Sequence, residues 1–126
     1  MPEALTIPST KLHPKVVMDA DANTFSISGR ALPEDAIDFF EPVQKWMEEY
    51  GAMPNPETLL VFDLEYFNSS SARQILEIIT ELENIHSRGH KVKVIWKHHA
   101  DDGLMQDRGQ EIKELVDLPF DLEAYE

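Results

Sequence analysis

The run Thr58-Leu59-Leu60-Val61-Phe62-Asp63-Leu64 is the most continuous apolar stretch in the chain, and it leaves few folds open. Its length and its β-branched and aromatic content predict a central strand, buried on both faces. Polar Asn68-Ser69-Ser70-Ser71 follows shortly after. Beyond the serines, Ile75, Ile78, Ile79, Leu82 and Ile85 recur three and four apart, which predicts a helix with one apolar side. Glu77, Thr80, Glu81 and Asn84 take the opposite side, and Gly89 is a natural stop. Lys91-Val92-Lys93-Val94-Ile95-Trp96 then alternates as a second strand with one face less buried. Strand, helix and strand in this order make parallel neighbours joined by a right-handed crossover.

The flanking segments extend this unit on both sides. Residues 1–14 carry a short alternation, Ala4-Leu5-Thr6-Ile7, broken by Pro8 and Pro14, and predict an edge strand or a loose arm. Residues 15–19 and 24–28 read as a β-hairpin around turn-rich Asp19-Ala20-Asp21-Ala22-Asn23, with Gly29 releasing the chain. Ala36, Ile37, Phe39, Phe40, Val43, Trp46, Met47 and Tyr50 carry helical spacing, with Pro42 inside the pattern and Gly51 as its end. Residues 100–109 read as a polar loop or frayed helix. Ile112, Leu115 and Val116 form a short helical stripe, and residues 118–122 a last strand. The expected architecture is α/β: a mixed β-sheet with an N-terminal hairpin and helices mainly on one face. Residues 1–126 read as a single domain, with no repeat or linker.

Composition narrows the chemistry. Eleven Lys and Arg against 24 Asp and Glu give a formal net charge of −13, which disfavours nucleic acid or an anionic membrane as partner. The chain has no cysteine, which excludes disulfides, thiolate metal sites and a thiol nucleophile. No apolar stretch approaches the roughly 20 residues of a membrane span, and the first ten residues lack the pattern of a signal peptide, so a cytoplasmic location is expected. Ser70 lacks a G-x-S-x-G elbow and no glycine-rich phosphate loop is present, so no enzyme and no cofactor are predicted. Gly89 breaks the helix between His86 and His90, and adjacent His98 and His99 would point to opposite sides of a strand; solvated histidines and no metal site are expected. Asp101, Asp102, Asp107 and Glu111 fail the spacing of a calcium loop. Trp46 and Trp96 fall in apolar patterns and read as core.

The informative segment is Leu64-Glu65-Tyr66-Phe67-Asn68-Ser69-Ser70-Ser71-Ala72, where the most apolar strand hands over to the best helix. Its hydroxyls fall at a helix N-terminus, where free N–H groups and the positive dipole end favour anions. One Asn or Ser suffices as a cap. Three serines in a row after two aromatics exceed that need, and a phosphate on one of them would add about −1.5 to −2 charges.

Glu65-Tyr66-Phe67-Asn68-Ser69-Ser70-Ser71 resembles the LEYFNTSS signature of the SiaC-like bacterial regulatory phosphoproteins, whose fold is similar to STAS anti-sigma-factor antagonists. The resemblance continues through Ile27 to Glu34, Phe39 to Val43, Trp46 to Tyr50, Val94-Ile95-Trp96, Asp101-Asp102 and Leu118-Pro119-Phe120. It implies a non-catalytic adaptor in a partner-switching system. A Ser/Thr kinase of histidine-kinase-like type would phosphorylate one hydroxyl, a PP2C-type phosphatase would remove the phosphate, and the unmodified form would bind and activate a target such as a diguanylate cyclase. The family's phosphorylated threonine falls on Ser69, with Ser70 and Ser71 as alternates, and Tyr66, Phe67, Asn68, Ser70 and Ser71 fall where the partner would bind. This chain departs from the family in having Ser for Thr at 69 and Lys97-His98-His99 near the C-terminal third. An anti-sigma-factor antagonist, or a small-ligand-binding domain using residues 69–71, are the alternatives.

Overall fold

The structure, a computed structural model, describes residues 2–126. The N-terminal alternations pair as expected: β2 (Lys15–Asp19) and β3 (Thr24–Ala31) form an antiparallel hairpin. In its turn, Asp19 Oδ1 accepts from the Ala22 N–H at 3.1 Å and Asn23 takes the left-handed conformation at φ 53°. β1 (Leu5–Ile7) adds antiparallel to β2, so the prolines flank an edge strand. Gly29 does not release the chain. It sits at φ 101°, where the register shifts against the next strand, and β3 continues beyond it to Ala31.

Three crossovers complete the sheet. Helix α1 (Ala36–Ala52) leads to β4 (Glu57–Phe67), α2 (Ser69–Ser87) to β5 (Lys91–His99), and α3 (Gly103–Leu115) to β6 (Phe120–Tyr125). The strand order is β1-β2-β3-β4-β5-β6, with β3 through β6 mutually parallel. Stepping always to the next position with crossovers of one hand puts all three helices on the same face.

That topology corrects the expectation that residues 58–64 are buried on both sides. Thr58, Leu60, Phe62, Leu64 and Phe67 face the core, whereas Leu59 is 45% exposed and Val61 and Asp63 are half-buried. The uncovered face is kept wet by charge. Lys91 pairs with Glu57 at 3.5 Å and Lys93 with Asp121 at 2.6 Å, and the hydrogen-bonded ammonium holds the Asp121 carboxyl below its usual range. Tyr125 donates to Asp63 Oδ1 at 2.7 Å across two strands.

Two helix boundaries also differ from the sequence reading. α1 runs past Gly51 because that glycine is buried under α2; an added Cβ would lie 3.6 Å from both Ile85 and Arg88, whose guanidinium donates to the Gly51 carbonyl. The helix ends at Met53, before Pro54. Pro42 is accommodated because it lies on the solvent side. Of the two readings of residues 100–109, a polar loop or a frayed helix, the helix holds from Gly103 and is regular: Asp102 caps α3 by accepting from the Met105 N–H at 3.0 Å. Gly109 then lets α3 close on β5, since a Cβ there would stand 2.3 Å from the Trp96 ring. Trp96 and Trp46 are both core, with indole N–H groups donating to Met105 O at 3.0 Å and Glu3 O at 2.7 Å.

Candidate functional site

Strand β4 passes into α2 through a single residue. Phe67 is the last strand position, Asn68 the cap and Ser69 the first helical residue, so the expected loop is a direct junction. Asn68 fixes it from four directions. Its N–H donates to Ala31 O at 3.2 Å, and its carbonyl accepts from Ala72 N–H at 2.9 Å. Its side-chain oxygen accepts from the Ser71 N–H at 2.9 Å and from the Ser70 hydroxyl at 3.2 Å. This is an N-cap that also ties the helix start to β3.

The three serines consequently differ. Ser71 is fully buried and its hydroxyl has no hydrogen-bond partner, which corrects the expectation that it is a surface hydroxyl for modification or docking. Its position in the first turn faces the core because Gln74, Ile75 and Ile78, three, four and seven residues on, lie on the same buried side. Ser70 is exposed and spent on Asn68. Ser69 is exposed, and its hydroxyl makes no hydrogen bond among the described residues. The two aromatics before the cap divide in the same way. Tyr66 is 43% exposed, whereas Phe67 is buried edge-on against Trp96 at 5.8 Å, a second correction, and belongs to the floor rather than the surface.

Ser69 stands on the rim of a cleft of about 280 Å³ between α2 and α3. Phe67, Ala72, Leu76, Ile112 and Leu115 give it apolar lining, and Tyr66, Asn68, Ser69, Arg108 and Glu111 supply the polar groups. The cleft exists because α2 packs along α1 while α3 rests on β4, β5 and β6. Leu115, expected to face inward with Ile112, is 69% exposed at one end of it. Sequence reasoning missed Arg108 and Glu111; their 108/111 spacing is an ordinary surface pair, and only the placement of α3 brings them opposite Ser69. Among the described residues no cluster of three or more His, Asp or Glu side chains is arranged to hold a metal. The expectation of solvated histidines fails at His98, which is buried on the core side of β5 with Nδ1 2.8 Å from His99 O, while His99 points outward. No described helix is long and apolar enough to cross a membrane.

A mixed sheet covered by three helices on one face, with a free hydroxyl at the start of the second helix beside an open interhelical groove, defines a class of small α/β domains built around that junction. The chain belongs to the SiaC family of regulatory phosphoproteins, whose model matches residues 7–125. It is 28% identical over 122 residues to an uncharacterised protein of Pseudomonas aeruginosa strain UCBPP-PA14, covering 97% of each chain. Among solved structures it is similar to SiaC of Pseudomonas aeruginosa, with 27% identity, a TM-score of 0.90, and 98% of this chain and 100% of that one covered. It is equally similar to a chain in the structure of the diguanylate cyclase SiaD in complex with its activator SiaC from the same organism, at 28% identity and a TM-score of 0.90 over 96% and 99% of the two chains.

Proposed function

We propose that this chain acts, as one regulatory unit over residues 1–126, as a non-catalytic adaptor that binds and activates a diguanylate cyclase in the cytoplasm and is switched off by phosphorylation of Ser69. The observation that carries the reading is the free, exposed Ser69 hydroxyl on the rim of the α2–α3 groove, in a family with a member described as the activator of such a cyclase. In the switching step a Ser/Thr kinase of histidine-kinase-like type removes the hydroxyl proton. The Oγ–P bond forms as the terminal phosphoanhydride bond of a nucleoside triphosphate breaks, releasing the diphosphate. A PP2C-type phosphatase restores the hydroxyl by hydrolysis, releasing inorganic phosphate.

The location makes the switch local. A dianion at the first residue of a 19-residue helix with no acidic side chain in its first turn is stabilised by the helix dipole, so the fold tolerates it. The cost falls on the complex, where the same dianion would have to be desolvated against the partner. A loss of about 1.4 kcal/mol is already tenfold in affinity.

Co-purification of the cyclase with unmodified and kinase-treated protein, together with phosphosite mapping, tests the reading. Ser69→Ala keeps the complex under kinase treatment, and Ser69→Asp weakens it at least tenfold. Label found only at residues other than Ser69, or equal capture of the cyclase by modified and unmodified chain, rejects it.

A further inference from the structure

We propose that Arg108 is the receiver of the phosphoryl group on Ser69: in the modified protein the guanidinium turns from Glu111 to the phosphate across the cleft, so that the phosphate occupies the groove instead of projecting into solvent. The inference rests on the reading that Ser69 is the modified residue. Ser69 lies on one wall of the cleft and Arg108 on the facing wall, with no other cation among the lining residues; Arg73, four residues along α2 from Ser69, is exposed and lies outside the lining, so its contribution is common to the wild type and the Arg108 variants. Arg108 is weakly engaged in the unmodified protein. Its single ion-pair contact is Nη1 to Glu111 Oε2 at 3.4 Å, three residues along the same exposed helix face, with the side chain 45% exposed. A surface pair of this kind contributes little and is readily exchanged. A guanidinium carries five donors in a planar fork, and a phosphate dianion offers three acceptor oxygens, so the exchange replaces one long contact with a bidentate, charge-assisted one. Glu111, left without its partner and facing a dianion, is repelled from the mouth of the cleft. The groove lined by Ala72, Leu76, Ile112 and Leu115 is then closed at the Ser69 end by a salt bridge that a docking segment would have to break.

The test uses the full chain with phosphoserine installed genetically at position 69, so that no kinase is needed. Phosphorus NMR titration follows the second ionisation of the phosphate, ordinarily near pH 6. With Arg108 present the midpoint lies lower by about one pH unit than in Arg108→Gln. Arg108→Lys, which retains the charge and loses the fork, falls between them. Arg108 is half exposed, so both variants fold, and unchanged far-UV circular dichroism checks this. Coincident titrations in wild type and Arg108→Gln overturn the inference whatever the cyclase does. Cyclase capture by the same phosphorylated protein is scored separately: if capture persists while the titrations differ, the Arg108 contact stands and the Ser69 switch is the part rejected.

Discussion

The two long seams along α2 are built from the same kinds of residue and have opposite outcomes. On one side α2 meets α1: Gln44 donates to Gln74 O at 3.0 Å, Arg88 reaches the Gly51 carbonyl, and Phe40, Val43, Met47, Ile75, Ile78, Ile79 and Leu82 are all buried in the core. On the other side α2 faces α3 across an open cleft, with Leu76 half-buried and Leu115 outward. The closed seam carries stability, and the open one is where the proposed recognition falls. α2 is shared by both, so the proposed modification on the open side sits on a helix anchored by the closed one.

The comparison predicts a separation of effects, beginning with the largest. Ile78→Ala on the closed seam destabilises by about 2–5 kcal/mol, as deletion of a fully buried side chain does, measured by urea denaturation. Equal stability to wild type would mean that the seam is not the core. Gly109→Ala probes how α3 is seated. Alanine in a helix interior normally gains about 1 kcal/mol over glycine, but here the Cβ enters the Trp96 ring, and the expected sign reverses to a loss of about 1–3 kcal/mol. A stabilised Gly109→Ala protein would overturn the close approach of α3.

Leu115→Asp on the open seam leaves stability within about 0.5 kcal/mol, because the side chain is exposed. It weakens cyclase capture at least tenfold, equivalent to about 1.4 kcal/mol. Full binding by this variant would move the docking surface away from the cleft. The smallest effect concerns the uncovered sheet face. Tyr125→Phe loses the hydrogen bond to Asp63, a change of about 0.5–1.5 kcal/mol. That bond to Asp63, with burial and the negative charge added to it, raises the Tyr125 pKa to about 12. Since the folded value lies above the unfolded one near 10, the contribution is complete below pH 10 and is lost as the pH rises through 12. Wild type and Tyr125→Phe therefore differ in stability at pH 8 and converge above pH 12; a difference that persists there would contradict the Asp63 contact.

Much of this was legible in the residues. The apolar faces of Phe40 through Tyr50 and of Ile75 through Ile85 gave α1 and α2, and the alternations at 15–19, 24–28 and 91–96 gave their strands, because period and burial report the same side of an element. The Asn68 cap and the exposed Ser69 lie within a signature short enough to read locally. Gly51 and Gly109 were not legible as helix residues: their small size answers a neighbouring helix and a tryptophan far away in sequence, which local propensity does not contain. The expected burial of residues 58–64 on both faces failed for the same reason, since a strand's composition does not say how many layers cover it.

The sequence by itself determined the elements, their order and the hydroxyl at the head of α2, since each depends on residues within a few positions of one another. Only the tertiary structure decided that Ser69 is free while Ser71 is sealed, that one face of the sheet stays open, and that Arg108 and Glu111 stand across a cleft from Ser69. Those outcomes depend on the direction in which each helix packs, and that is set by contacts between segments distant along the chain.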